Sequence, residues 1–223
     1  MNVRVTRFLD GAREATGHAV IVDVFRAFTT AAFCAAAGAR EIVLVADHEQ
    51  ALAMKREDPS LFLTGEIGGR PIPGFEVGNS PSAIERLDLT GRRVVQRTSA
   101  GTQGVVAATG ASRIALGSFV IAQATVDHLR RIGDDVTIVA MGHNAIAEAD
   151  EDALCARYLD ALLRGERPSR PTVFLESDHA AEGWPDWFPR RDAELACQVD
   201  RFDFAMPVTR EGGLLVARPL RSG

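Results

Sequence analysis

Ala19-Val20-Ile21-Val22-Asp23-Val24-Phe25-Arg26-Ala27-Phe28-Thr29-Thr30-Ala31-Ala32-Phe33-Cys34-Ala35-Ala36-Ala37-Gly38 changes character near its middle. Ala19–Val24 is β-branched and apolar almost throughout, the pattern of a strand buried on both faces. Ala27–Gly38 is alanine-rich and helical in pattern, with a glycine at its end. Asp23 and Arg26 fall at the junction. A buried strand that runs straight into a helix is the repeating unit of a parallel sheet.

The same alternation extends in both directions. Further strand-like runs are Val3–Phe8, Ile42–Val45, Leu61–Thr64, Arg93–Gln96, Arg113–Leu116 and Val136–Met141. Helical patterns lie between most of them, at Glu49–Arg56, Pro81–Leu87, Gly101–Thr109 and Ala122–Arg131, and a longer one covers Asp150–Arg164. The last third is less regular. It holds a Trp/Pro cluster at Trp184–Pro189 and two short strands, Phe202–Val208 and Leu214–Ala217, expected to pair as a hairpin around Glu211–Gly213. The predicted fold is a three-layer α/β/α domain spanning residues 1–223, with a mainly parallel sheet and a C-terminal β-hairpin.

Composition narrows the function. The chain has 223 residues, 46% of them apolar, which suits a single core. No run approaches the roughly 20 apolar residues of a membrane span, and Met1–Glu14 lacks the apolar stretch of a secretory signal, so a cytoplasmic location is expected. The three cysteines, Cys34, Cys155 and Cys197, are far apart and odd in number, against a disulfide framework or a CxxC metal site. A formal charge of −5 gives no basic footprint for nucleic acid. Lys55 is the only lysine, and the GxxxxGK phosphate loop is missing. The remaining cationic side chains are arginines, suited to gripping carboxylate, sulfonate or phosphate.

Open α/β sheets bind ligands beyond the carboxyl ends of their strands. Polar residues collect there: Asp23 and Arg26, Glu66, Asn79 and Ser80 in a glycine-rich loop, Arg97 through Thr102, His143, and Glu151 with Asp152. Hard carboxylate oxygens suit Mg²⁺, and Asp23, Glu66, Glu151 and Asp152 are the candidate ligands. Thr98, Ser99, Gly101 and Thr102 leave a strand and open a helix, where amides and hydroxyls can hold a phosphate. Arg26 and Arg97 can neutralise substrate charge. Taken singly, each has a plainer reading: Asp23 as a helix cap, Glu151 and Asp152 as complements to a helix dipole, Thr98–Thr102 as an ordinary turn, His143 as structural. Cys34 and Arg40 have the spacing of cysteine-dependent phosphatases, but Cys34 falls inside a helical pattern, and thiolate activation needs an exposed electropositive site. Phe25, two residues after Asp23, removes the second aspartate that haloacid-dehalogenase chemistry requires.

The loop Gly65-Glu66-Ile67-Gly68-Gly69-Arg70-Pro71-Ile72-Pro73-Gly74-Phe75-Glu76-Val77-Gly78-Asn79-Ser80-Pro81 closely resembles the signature loop of the 2-phosphosulfolactate phosphatase family, G-E…G-F-(D/E)-x-G-N-S-P. Other blocks follow the family in order. Asp23–Thr30 resembles D-V-x-R-A-(T/F)-(S/T)-T, Thr98–Thr102 resembles T-(T/S)-N-G-T, and Glu151–Leu159 resembles E-D-x-x-C-A-x-Y-L. Asp192–Asp200 resembles D-x-x-x-x-C-x-x-D. The resemblance implies a Mg²⁺-dependent hydrolase of phosphate esters of small 2-hydroxy acids. The family's named substrate is (2R)-phospho-3-sulfolactate, on the route to coenzyme M. It implies a small phosphorylated hydroxy acid as partner, with no nucleic acid or membrane; a homo-oligomer is the further expectation.

On that basis Asp23, Glu66 and Arg26 are the expected catalytic residues. Arg26, Asn79, Ser80, Arg97, Thr98, Ser99, Gly101 and Thr102 are assigned to substrate and phosphate. The expected chemistry is attack by a metal-bound water, with an aspartyl-phosphate on Asp23 as the rival. A related phosphohydrolase for another hydroxy acid and a non-catalytic anion-binding module are the alternatives. Ile67, Ala100 and Ile121 stand where the family carries polar groups, which predicts an altered substrate choice if all three border the site.

Overall fold

The computed structural model describes residues 1–173 and 183–221. Its strands are β1 (Val3–Arg7), β2 (His18–Val22), β3 (Glu41–Leu44), β4 (Phe62–Ile67), β5 (Arg70–Pro71), β6 (Arg93–Arg97), β7 (Arg113–Gly117), β8 (Val136–Ala140), β9 (Phe204–Glu211), β10 (Leu214–Ala217) and β11 (Leu220–Arg221). The helices are α1 (Phe8–Arg13), α2 (Ala27–Ala36), α3 (His48–Glu57), α4 (Pro81–Ile84), α5 (Gly101–Ala107), α6 (Ala122–Ile132), α7 (Asp150–Leu163) and α8 (Arg190–Ala196). The α/β class and the predicted alternation hold. Two short helices, α1 and α8, come where the sequence shows too few turns for a period to register.

The strands form one sheet in the order β1-β8-β2-β7-β9-β10-β3-β6-β4-β5, with β11 beside β9. β1, β8, β2 and β7 are mutually parallel, and so are β3, β6 and β4. The β9–β10 hairpin turns at Gly212 and Gly213, both at positive φ, as a two-residue hairpin loop requires. The hairpin is not an appendage. It lies between the two parallel blocks and pairs antiparallel with β7 on one side and β3 on the other. The blocks therefore run in opposite formal directions. Strand twist of roughly 20–25° per step turns the second block relative to the first, and curling of the sheet brings together strands five steps apart in the order. The carboxyl ends of β2 and β6 then meet: a Cβ on Gly101, just past β6, would sit 2.9 Å from Asp23 Oδ2, just past β2.

Side chains alternate across the sheet with a period of two. Ala19, Ile21, Ile42, Leu44 and Val94 join the largest apolar cluster, which also takes in α2 and residues of α1 and α5. Val20, Val22 and Ile138 face the other way onto α6 and α7, and Val43, Leu63 and Val95 onto α3. α2 is buried from Ala27 to Cys34. A helix enclosed on all sides is apolar all round, and its alanines let neighbouring backbones approach. This buried helix starts four residues after Asp23 and anchors the site.

Candidate functional site

A cavity of about 430 Å³ opens where the carboxyl ends of β2, β4, β6 and β8 converge. Asp23, Arg26, Glu66, Asn79, Ser99, Glu151 and Asp152, all named from sequence, line it. Segments far apart in the chain thus share one cleft. Glu148, Asp150, His143, Trp187 and Phe188 complete the wall, and none of them was assigned a ligand role from sequence.

Three of the carboxylates, Asp23, Asp152 and Glu66, are fixed by backbone amides. Asp23 Oδ1 accepts from Ala27 N at 3.1 Å, so the plain helix-cap reading is also true. Asp152 Oδ1 accepts from Val24 N at 2.7 Å and its Oδ2 from Gly142 N at 2.8 Å, which clamps the ends of β2 and β8 together. Glu66 accepts from Ser99 N and Ser99 Oγ, and from Gly69 N at 2.6 Å.

These bonds change the expected role of the Thr98–Thr102 turn. Ser99 N, assigned to phosphate, is engaged by Glu66. Thr98 N donates to Thr102 Oγ1 and Thr102 N to Thr98 Oγ1. Both threonines are buried, so their hydroxyls close the turn rather than face the cavity. Gly101 serves by lacking a side chain: a Cβ there would stand 2.8 Å from Ala27 Cβ as well as against Asp23. Arg97 is directed to the backbone, with Nε on Ala46 O at 3.1 Å and a terminal nitrogen on Glu66 O at 2.8 Å. Ser80 caps α4 by accepting from Ala83 N, and it donates to Asp192 Oδ1 at 2.9 Å. Arg97, Ser80, Thr98, Gly101 and Thr102 therefore shape the site from behind.

Arg26 does reach the cavity. It is buried and ion-paired with Asp192 at 2.8 Å, donates to Trp187 O at 2.9 Å, and lies 4.2 Å from the centroid of the Phe188 ring. Asn79 is also buried, and its side-chain oxygen has no hydrogen-bond partner among the described residues. Of the three apolar departures, only Ala100 borders the cavity. Ile121 is fully buried in the main apolar cluster, and Ile67 is exposed at the end of β4. The expectation that all three border the site is thus corrected: an apolar residue at position 121 is satisfied by packing.

Acids dominate the cavity's electrostatics. Burial pushes the Asp23 carboxyl up to about 6, and the nearby charge of Glu66 adds to the effect. Asp152 is raised well above the usual carboxylate range, first by burial and then by the charges of Asp23 and Glu151. Among the described residues no group of three or more His, Cys, Asp or Glu converges on one metal position, so the four acids expected as ligands do not form a single closed set. Mg²⁺ asks for less, taking one or two carboxylates and completing its shell with water and substrate oxygens. Asp23 and Glu66 fit that demand. Cys34 is fully buried in α2 and its thiol is pushed up to about 12 by burial, which disposes of thiol chemistry there. No helix among the described residues is long and apolar enough to cross a membrane.

Comparison with known proteins identifies the family of the chain. A family model described as 2-phosphosulpholactate phosphatase matches residues 7–181. A protein of Bacillus subtilis (strain 168) named "Probable 2-phosphosulfolactate phosphatase" is 32% identical over 202 residues, covering 86% of this chain and 87% of its own length. One of Thermoplasma volcanium with the same name is 29% identical over 211 residues, covering 94% and 98%. One of Deinococcus radiodurans, again so named, is 37% identical over 149 residues, covering 65% and 62%.

Proposed function

Because the chain belongs to the 2-phosphosulfolactate phosphatase family, we propose that it hydrolyses phosphate monoesters of small 2-hydroxy acids with Mg²⁺ held at Asp23 and Glu66. One observation carries the metal requirement. Asp23, Glu66, Glu148, Asp150, Glu151 and Asp152 line the cavity, and Arg26 is the only arginine or lysine among the described residues that does. A phosphorylated hydroxy acid brings further negative charge into this wall, and a divalent cation offsets it. When bound, the ion supplies Lewis-acid polarisation of the phosphate and a lowered pKa for water.

The protein's own groups do the rest. Arg26 presents its guanidinium to the phosphoryl oxygens, where charge grows in the transition state. Asp23 is ionised above a pH of about 6 in the metal-free site, and its carboxylate orients the attacking water toward phosphorus. Asn79 offers a buried amide to the hydroxy-acid part of the substrate. Phe25, Trp187 and Phe188 line the cavity beside Arg26 and limit its contact with bulk solvent.

A phosphate-release screen over phosphorylated 2-hydroxy acids, 2-phospho-3-sulfolactate among them, tests the proposal with Mg²⁺ and with EDTA. Turnover that survives EDTA would remove the metal from the scheme. Absence of turnover with every ester, together with ligand-induced stabilisation, would leave a small-anion-binding module. Borohydride quenching during turnover separates the two chemical routes: an aspartyl-phosphate on Asp23 is reduced and recovered as homoserine, whereas direct attack by water on phosphorus leaves Asp23 unmodified. Ala100 replaces a family asparagine on the cavity wall, so the preferred ester is expected to differ from that of relatives that keep it.

A further inference from the structure

Arg26 is the only arginine or lysine among the described residues that lines the cavity, and its position is set by a residue from the C-terminal family-like block, Asp192. Asp192, on α8, is fully buried, and both of its oxygens are engaged. Oδ2 accepts from Arg26 at 2.8 Å. Oδ1 accepts from Ser80 Oγ at 2.9 Å and from Ser82 N at 3.0 Å. One carboxylate therefore joins the residue that follows β2 to the loop that carries Asn79. The approach to α8 contributes too: Trp187 O accepts from the same nitrogen of Arg26 that meets Asp192, and the Phe188 ring lies against the guanidinium.

We propose that Asp192 is a positioning residue for the reaction: it orients Arg26 toward the phosphoryl group and holds the Asn79 loop at the matching distance. This rests on the phosphatase reading above. The physical argument is one of degrees of freedom. An arginine side chain has several rotatable bonds, and the side-chain entropy it loses on being fixed is considerable. Here its plane is set by Asp192, by Trp187 O and by Gly69 O, the last at 3.4 Å. Those contacts use three of its five donors and leave the rest of the fork for an anion. A buried ion pair contributes little net stability compared with apolar replacement, so orientation is the gain that explains this one. Displacement of a binding group by about 1 Å costs on the order of 10²-fold in rate.

The test is a double-mutant cycle on the full chain, scored by kcat and KM for whichever phosphate ester the wild type turns over. D192N keeps the shape and one acceptor but removes the charge. Its kcat/KM is expected to fall roughly 10²-fold, and in the R26M background the loss is expected to shrink to the smaller part that comes from the Asn79 loop, because Asp192 then has no guanidinium left to orient. D192E, which restores the charge, is expected to recover part of the activity. D192N with wild-type kinetics, or losses in D192N and R26M that simply multiply, overturns the proposal. A wild type that hydrolyses no ester fails the phosphatase reading itself and is a different result. Thermal melts accompany each variant, and if D192N does not fold, the same cycle run with D192E decides by the same criterion.

Discussion

Asp152 accepts the backbone N–H of Val24 at 2.7 Å across a sequence separation of 128 residues. The same carboxylate accepts from Gly142 N, so an acid in the first turn of α7 fastens the exits of two neighbouring strands, β2 and β8. Asp23 directly precedes Val24, and its place in the cavity depends on that clamp.

D152A is therefore expected to destabilise the protein by roughly 2–6 kcal/mol, since two amides lose their acceptor and each such loss costs about 1–3 kcal/mol. Urea denaturation measures it. A variant as stable as wild type would mean that water replaces the carboxylate without cost, and the clamp would have no energetic role.

D23N and E66Q each remove a charged oxygen from the proposed ion. Mg²⁺ affinity, measured by calorimetry, is expected to drop at least about tenfold, and phosphate release about 100-fold or more. Unchanged turnover in both would place the chemistry elsewhere.

Protons compete with the ion. With its carboxyl raised to about 6, Asp23 is largely protonated at pH 5 and largely ionised at pH 7.5 in the absence of the ion. The increase in melting temperature on adding Mg²⁺ is thus expected to be larger at pH 7.5 than at pH 5, and hydrolysis to rise with pH through this range. An equal shift at both values would show that Asp23 takes no part in binding the ion.

His18 acts in the opposite sense and far from the cavity. Both its ring nitrogens are buried without a hydrogen-bond partner among the described residues, and burial lowers its pKa to about 4. Between about 4 and the ordinary value of 6.5 the unfolded chain binds a proton that the folded chain does not, so His18 lowers stability as pH falls through that window. H18L is expected to raise the melting temperature relative to wild type more at pH 5 than at pH 7.5. A constant difference would refute this.

Gly69 sits at positive φ, where a Cβ would come within 2.4 Å of the Trp187 ring. G69A is expected to displace that ring, changing tryptophan emission and weakening substrate binding several-fold. Unchanged emission and KM would mean that the loop yields instead.

Much of this was written in local sequence. The period-two strands, the alanine-rich helix after Asp23 and the turn glycines Gly212 and Gly213 each announce themselves within a dozen residues, because they reflect constraints a residue places on its own backbone and on its nearest neighbours. The ordered motifs marked Asp23, Glu66, Asn79, Ser99, Glu151 and Asp152, and all of them line one cavity. Short α1 and α8 left no period to read.

Tertiary structure alone decided who partners whom. The C-terminal hairpin carries a turn signal, but nothing in it says that β9 and β10 will enter the sheet between β7 and β3. The amide of Ser99, expected to face phosphate, meets Glu66; Arg97, expected to meet substrate, meets Ala46 O and Glu66 O; and Ile121 is closed into the core. Backbone conformation is a local free energy, legible residue by residue. Which buried donor meets which acceptor is settled only when distant segments are desolvated together, and the chain's order does not contain that proximity.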